Sequence, residues 1–106
     1  QRAEHLLSSL GVDAQTRTGR LSRGEQQRVA IARALVREPG VILADEPSAS
    51  LDASTAVQVM ALLVAQCRER GTTLLVSTHD VSLAHLFDRA LIFRHGALVN
   101  LQATQP

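Results

Sequence analysis

Two short apolar segments, each ending abruptly in polar residues, constrain the fold of this chain most. Val41 to Ala44 is apolar throughout and runs directly into Asp-Glu-Pro at 45–47, and Thr73 to Val76 runs into Ser-Thr-His-Asp at 77–80. A short apolar run bounded by residues that break regular structure predicts a strand buried on both faces of a parallel sheet. The chain is therefore expected to contain at least two such strands.

Segments with helical periodicity alternate with these strands. Ala53 to Arg70 carries apolar residues along one helical face and is followed by Gly71, a typical helix stop. The other predicted elements are helices at 3–10, 22–38 and 81–87, and a strand pair at 90–93 and 97–101 that turns at His95-Gly96. This alternation predicts an α/β layer fold with right-handed crossovers.

Composition excludes several classes of protein. The 106 residues suffice for one hydrophobic core, no apolar run approaches the roughly 20 residues that span a bilayer, and a secretory signal pattern is absent, so we expect a soluble domain. The single cysteine, Cys67, excludes an intrachain disulfide framework. All 11 basic residues are arginine, so any lysine acting on a phosphate must come from outside this sequence. A start at Gln1 is expected if the sequence belongs to something longer.

The first of three polar clusters opens a helix. Ser22 stands at the N-cap position, Arg23 and Gly24 follow, and Glu25 is placed to complete a capping box. The first-turn amides of such a helix can meet an anion such as a phosphate. Taken alone, the segment is better explained as an ordinary capping box.

The second cluster places two adjacent carboxylates, Asp45 and Glu46, at the end of a predicted buried strand. Like charges in a low dielectric repel and lose hydration, so such a pair is costly unless a metal or a water uses it. One carboxylate can hold Mg²⁺ through water while the next accepts a proton from an attacking water. The alternative is that both side chains point into solvent at the start of a loop.

The third cluster, residues 77–80, places His79 at the end of the second predicted strand. An imidazole there can orient a phosphate or a water by hydrogen bonding, although a lone histidine is more often an incidental polar residue. His5, His85 and His95 lie on a helix face or a turn, and no pair has the spacing of metal ligands.

The order and spacing of these clusters resemble the ABC-type ATPase domain. The resemblance runs from about Leu21 to Asn100 and is carried by Leu-Ser-Arg-Gly-Glu-Gln-Gln-Arg-Val-Ala-Ile-Ala-Arg-Ala-Leu, Val-Ile-Leu-Ala-Asp-Glu-Pro-Ser-Ala-Ser-Leu-Asp and Leu-Leu-Val-Ser-Thr-His-Asp. It implies a P-loop NTPase-type three-layer α/β core with a mainly parallel sheet, lacking the N-terminal half with the P-loop. Residues 1–38 would be the end of the helical subdomain with the signature helix, and residues 39–106 the C-terminal part of the ATPase core.

The resemblance also implies roles for individual residues. Asp45 looks like the Walker B residue that holds magnesium, Glu46 like the general base, and His79 like the switch histidine. Ser50, Leu51 and Asp52 look like the D-loop. Ser22, Arg23, Gly24 and Glu25 look like the signature motif, which would contact a nucleotide held by a partner domain. Arg23 stands in place of the usual first glycine of that motif.

A protein of this family is expected to be the ATP-hydrolysing subunit of an ABC transporter, with ATP and Mg²⁺ as cofactors. Its expected partners are a second ABC ATPase domain and a membrane-spanning transporter subunit, at the cytoplasmic inner face of the membrane, and no nucleic acid is expected. The combination of Glu25 with Arg28 and the segment Ala-Asp-Glu-Pro resemble the corresponding residues of one branch of the family. That branch serves lipoprotein export, macrolide efflux and cell division.

Two alternatives belong to the same superfamily, and a third is not an enzyme. An ATPase head of a DNA-maintenance protein is disfavoured by Pro47 and by the Ser-Thr-His-Asp segment. A translation-factor branch is disfavoured because Ala49-Ser50 stands where an Asn-His pair is expected. A truncated interaction module without catalysis is compatible with every residue of the sequence.

The resemblance implies one further feature of the sheet. In the family, the strand leading into the phosphate loop lies between the strand that ends at the switch histidine and the strand after it. These neighbours correspond to residues 74–76 and 91–93, so we expect two strand edges without a partner in this chain.

We predict that the 106-residue chain alone neither binds ATP tightly nor hydrolyses it. The sequence has no Gly-rich loop with Lys and Ser/Thr, no glutamine loop, and no aromatic residue placed to stack on adenine. Phosphate affinity depends on that backbone cradle and its lysine, which anionic side chains cannot replace. Isothermal calorimetry that detects micromolar binding of Mg-ATP to this chain would contradict the prediction.

Overall fold

Helices and strands alternate along residues 22–101, the part of the chain that the computed structural model describes. The elements are α1 (Arg23–Leu35), β1 (Val41–Asp45), α2 (Ala53–Arg70), β2 (Thr73–Ser77), a 3-10 helix (Val81–Leu86), β3 (Leu91–Arg94) and β4 (Ala97–Asn100). The predicted order of these elements is confirmed. The helix predicted at residues 3–10 lies outside the described residues.

A capping box begins α1, as the sequence predicts. The Glu25 backbone N–H donates to Ser22 Oγ at 3.1 Å, and the Ser22 N–H donates to Glu25 Oε1 at 3.0 Å. The helix ends at Leu35 and not near residue 38, because Glu38 adopts a left-handed φ of 53° ahead of Pro39. Proline disfavours the right-handed helical conformation in the residue before it, so the chain leaves the helix early.

β1 and β2 form a parallel pair joined by α2, with a register that runs from Val41 opposite Thr73 to Asp45 opposite Ser77. Hydrogen bonds fix this register at its first residues. The Thr72 hydroxyl donates to the Pro39 carbonyl at 3.1 Å, and the Thr73 N–H donates to the Gly40 carbonyl at 2.9 Å. The parallel pairing therefore brings the carboxyl ends of both strands to the same edge.

The core lies between α1, α2, the 3-10 helix and one face of the β1–β2 pair. Its buried residues are Ile31, Ala32, Leu35, Ile42, Val59, Met60, Leu63, Cys67 and Leu83. Burial raises the pKa of the Cys67 thiol, which keeps this side chain neutral within the core. Within residues 22–101, none of the helices combines the length and apolar character needed to cross a membrane.

The opposite face of the pair is exposed, which corrects the expectation that both strands are buried on both faces. Leu43 and Leu75 are 73% and 63% exposed, and Val41 is 58% exposed, whereas Ile42 on the inner face is only 9% exposed. A parallel sheet is buried on both faces only when helices cover both. The helices of the described residues cover one.

β3 and β4 form a separate antiparallel hairpin, so the described strands make two two-stranded sheets. His95 and Gly96 connect them with positive φ angles of 51° and 78°, the combination that a type I′ turn requires. The turn predicted at these two residues is confirmed. In the described residues, β2 and β3 are not hydrogen-bonded to each other, which agrees with the expected unpaired edges.

We predict that the isolated 106-residue chain self-associates through this exposed face and the adjoining strand edges. Leu43→Lys should increase the monomer fraction in analytical ultracentrifugation, because charge on an exposed apolar face opposes association. Leu35→Ala serves as the contrast, since Leu35 is 1% exposed and its truncation should lower stability by about 2 to 5 kcal/mol without favouring the monomer. A monodisperse parent chain with cooperative unfolding, and hydrogen-exchange protection across 73–77 and 90–94, would contradict the prediction.

Candidate active site

Two polar side chains end the parallel strands side by side. Asp45 and Ser77 are partners in the register, and the Ser77 hydroxyl donates to Asp45 Oδ1 at 2.5 Å. Side chains alternate along a strand, so these two lie on the same exposed face as Leu43 and Leu75. The Asp45 carboxylate is therefore accessible at the carboxyl edge of the sheet, where open α/β sheets bind ligands.

Glu46 bends the chain sharply away from β1. Its φ is 49°, a left-handed conformation that costs a residue with a side chain about 1 to 2 kcal/mol, and such strain is concentrated at functional sites. The Glu46 N–H donates to the Ser77 carbonyl at 2.8 Å. This hydrogen bond offsets part of the strain and ties the bend to the end of β2.

The second and third polar clusters meet in an ion-pair contact between His79 Nδ1 and Glu46 Oε1. The Glu46 side chain is 29% exposed and the His79 side chain is 97% exposed. His79 is thus not isolated: one ring nitrogen is engaged with a carboxylate, and most of the ring surface faces solvent. The contact holds the carboxylate from one side and leaves it partly accessible.

The loop that carries His79 is stabilised by local hydrogen bonds that were not predicted from the sequence. The Asp80 N–H donates to Thr78 Oγ1 at 3.0 Å, and the Ser82 N–H donates to Asp80 Oδ1 at 3.1 Å. Asp80 also caps the 3-10 helix. An Asp followed two residues later by Ser is a known turn signal and would have identified this arrangement.

Residues 48–52 fold into tight turns between Glu46 and α2. The Ala49 N–H donates to the Glu46 carbonyl at 3.2 Å, and the Leu51 N–H donates to the Ser48 carbonyl at 3.1 Å. Asp52 is the N-cap of α2 and accepts the Thr55 N–H at 3.1 Å. The loop is therefore held at both ends, by the bend after β1 and by the first turn of α2.

An open cleft of about 760 Å³ lies between this loop and the His79 loop. It is lined by Glu46, Ser48, Ala49, Leu51, Ala53, Ala56, Thr78, His79 and Asp80. Of the residues predicted to form a site, Glu46, Leu51 and His79 line the cleft. Asp45, Ser50 and Asp52 adjoin it in sequence without lining it.

The first polar cluster is not part of this cleft. Ser22 and Arg23 are exposed at the start of α1, Glu25 is occupied in the capping box, and Gly24 is buried. A Cβ on Gly24 would lie 2.7 Å from Thr55 Cγ2. The start of α1 therefore packs against the start of α2, with its outer residues facing away from this contact.

The donor set fits magnesium held jointly with a phosphate ligand. Residues 22–101 contain no group of three or more His, Cys, Asp or Glu side chains that could hold a metal ion. Mg²⁺ commonly takes one or two carboxylates and completes its shell with waters and phosphate oxygens. The accessible carboxylate of Asp45 agrees with that mode of binding and not with a closed protein cage.

Comparison with known proteins places this geometry in a family. The ABC transporter family model matches residues 1–49. The lipoprotein-releasing system ATP-binding protein LolD of Porphyromonas gingivalis is 50% identical over 98 residues, covering 91% of this chain and 45% of LolD. The phosphonates import ATP-binding protein PhnC 1 of Rhodopseudomonas palustris is 48% identical over 102 residues, covering 93% of this chain and 36% of that protein.

Solved structures show the same architecture. The cbiO1 protein of Clostridium perfringens, part of the ABC transporter complex cbiONQ, matches with a TM-score of 0.81 and 34% identity, covering 92% of this chain and 40% of cbiO1. A dimeric ATP-binding cassette in a post-hydrolysis state, bound to ADP and Pi, matches with a TM-score of 0.70 and 38% identity, covering 92% of this chain and 43% of the cassette.

The fold is that of an α/β fragment of the P-loop NTPase type. The chain corresponds to a fragment of the ABC transporter ATP-binding domain, and its LolD relatives agree with the lipoprotein-export branch indicated by the sequence. It spans less than half the length of these curated relatives.

We predict that the N-cap of α2 makes stability sensitive to acid. Hydrogen bonds from Thr55 hold the pKa of Asp52 below its usual value. A depressed folded pKa contributes stability above the unfolded pKa, and this contribution is lost as pH falls through the folded pKa. Asp52→Asn, which still caps a helix but does not titrate, should flatten this part of the profile. Denaturant unfolding of both proteins from about pH 6 to about pH 2 tests the prediction, and parallel profiles would contradict it.

Proposed function

We propose that this chain is the part of the ATP-hydrolysing subunit of an ABC transporter that carries the catalytic carboxylate. The observation that supports this most is the Glu46–His79 contact beside the Asp45–Ser77 pair, at the carboxyl ends of two parallel strands. In this proposal the phosphate-binding loop and its lysine come from a segment outside the 106 residues. The shares of LolD and PhnC 1 that the chain covers, 45% and 36%, support that division.

Glu46 acts as the general base in this proposal. Its carboxylate accepts a proton from a water that attacks the terminal phosphate, a role that requires a fixed and partly accessible oxygen. The hydrogen bond from its N–H to Ser77 fixes the backbone, and the contact with His79 Nδ1 fixes the side chain. His79 is then the residue that orients the base and, through its exposed ring, reaches the phosphate.

Asp45 holds magnesium through water in this proposal. The Ser77 hydroxyl donates to one carboxylate oxygen, Oδ1, and thereby restricts the rotation of the carboxylate. Magnesium bound there would neutralise charge on the nucleotide phosphates. ATP with Mg²⁺ is accordingly the proposed substrate and cofactor pair.

Ser22, Arg23, Gly24 and Glu25 are proposed to act on a nucleotide held by a second ABC ATPase domain. Their position outside the cleft supports action in trans, because the segment does not border Glu46 or His79 of its own chain. The related cassette solved as a dimer with ADP and Pi supports the same arrangement. The D-loop residues Ser50, Leu51 and Asp52 would lie beside that dimer contact.

The proposed partner besides the second ATPase domain is a membrane-spanning transporter subunit, contacted at the inner face of the membrane. One relative is named for lipoprotein release and another for phosphonate import, at 50% and 48% identity. We therefore assign to this chain the function that both relatives have in common, that of an ATPase subunit. We favour lipoprotein release as the process it serves, because further LolD proteins are also similar to this chain.

We predict distinct effects for the two carboxylates in the complete gene product, the translated reading frame that contains residues 1–106. Glu46→Gln should lower kcat by about 10² to 10⁴ and leave ATP binding nearly unchanged, because the amide keeps the shape and loses the base. Asp45→Asn should instead weaken magnesium-dependent nucleotide binding. Steady-state ATPase assays and equilibrium binding of a fluorescent ATP analogue separate these effects.

Glu69→Gln is the matched control for this experiment. Glu69 is exposed in the last turn of α2, at the opposite end of the helix from Ala53 and Ala56, which line the cleft, so the same chemical change should leave kcat unaltered. Near-normal turnover of Glu46→Gln would show that Glu46 is not the base. A complete gene product with no ATPase activity would favour the interaction module.

A further inference from the structure

Thr55, the third residue of α2, contacts two segments that no other described side chain is shown to join. On one side it meets Gly24 of α1, which is buried. A Cβ on that glycine would lie 2.7 Å from Thr55 Cγ2. Carbon atoms that are not bonded to each other do not approach this closely in proteins. The Thr55 methyl group therefore occupies the space that any larger residue at position 24 would need.

On the other side Thr55 binds Asp52, the N-cap of its own helix. Its backbone N–H donates to Asp52 Oδ1 at 3.1 Å, and its hydroxyl helps to hold the pKa of this carboxylate below its usual value. Thr55 thus has partners on both sides. Its methyl packs on the start of α1, and its backbone N–H binds the last residue of the 50–52 segment.

The buried core that α1 and α2 share lies further along both helices. Ile31 and Leu35 of α1 pack with Val59 and Leu63 of α2 in the common core. These buried residues hold the helices together but leave the spacing of their first turns to the Gly24–Thr55 contact. Threonine is branched at Cβ and stiff at χ1, so it defines that spacing more closely than an unbranched side chain would.

We propose that Thr55 is a positioning residue that fixes segment 22–25 relative to segment 50–52, so that both meet a partner domain as one unit. The inference rests on the proposed function, which gives both segments a role at the nucleotide of a second domain. It assigns Gly24 a packing role against its own chain, in addition to any approach to a ligand.

Four variants of the complete gene product test this inference. Thr55→Ser removes the methyl and keeps the hydroxyl, whereas Thr55→Val keeps a branched side chain and removes the hydroxyl. Gly24→Ala introduces the clash, and the double variant Gly24→Ala with Thr55→Ser removes it again. Ser54→Ala, at an exposed position in the same turn, is the control.

Thermal unfolding and ATPase kinetics are measured for each variant, with kcat expressed per folded molecule and the ATP affinity determined separately. Gly24→Ala should lower Tm by several degrees and kcat by at least about 10-fold with ATP affinity unchanged, because small displacements of positioned groups reduce turnover strongly. The double variant should recover most of both losses. Thr55→Val should keep Tm near that of the parent, because the methyl contact and the backbone hydrogen bond to Asp52 remain. It should lower kcat, because the hydroxyl no longer acts on Asp52.

If the parent protein is an active ATPase, two results would overturn the positioning role of Thr55 without affecting the proposed function. Additive Tm changes in the double variant would show that Gly24 and Thr55 do not share the contact. Coupled Tm changes with kcat unaffected would show that Thr55 stabilises the fold without positioning either segment. A parent without ATPase activity overturns the proposed function instead, and with it the role given to Thr55.

Discussion

The parallel pairing of β1 with β2 is the interaction on which the rest of the structure depends. Its register sets Asp45 beside Ser77, and the bend at Glu46 follows because its N–H reaches the carbonyl of the same Ser77. A slip of one residue would move every side chain to the opposite face and separate these groups. The hydrogen bond from Thr72 to the Pro39 carbonyl, at the far end of the pair, therefore protects the geometry of the site.

Much of this arrangement could be predicted from local sequence, because the signals were local. The capping box at Ser22 and Glu25, the bounds of α2 between Asp52 and Gly71, and the turn at His95-Gly96 each depend on a few neighbouring residues. The polar residues after both strands were placed together by a general rule, since the carboxyl ends of parallel strands share an edge. The meeting of Glu46 with His79 agrees with that rule.

Features that depend on distant residues were not predicted. The exposure of Leu43 and Leu75 reflects which faces the helices cover, and an apolar strand sequence does not specify this. The contact between Gly24 and Thr55 joins residues far apart in the chain, and their spacing carries no pattern. The hydrogen bond from Ser77 to Asp45 and the contacts of Thr55 were not predicted for the same reason. A single serine or threonine in a sequence does not indicate which residue its side chain will contact.

The bare outer face of β1 and β2 has a consequence for how such a protein matures. Asp45 and Ser77 stand on that face together with Leu43 and Leu75. Any layer that shields the apolar pair also encloses the surroundings of the carboxylate and lowers their dielectric, which strengthens its interaction with a cation. A layer over this face would therefore complete the burial of Leu43 and Leu75 and strengthen cation binding at Asp45 in a single step.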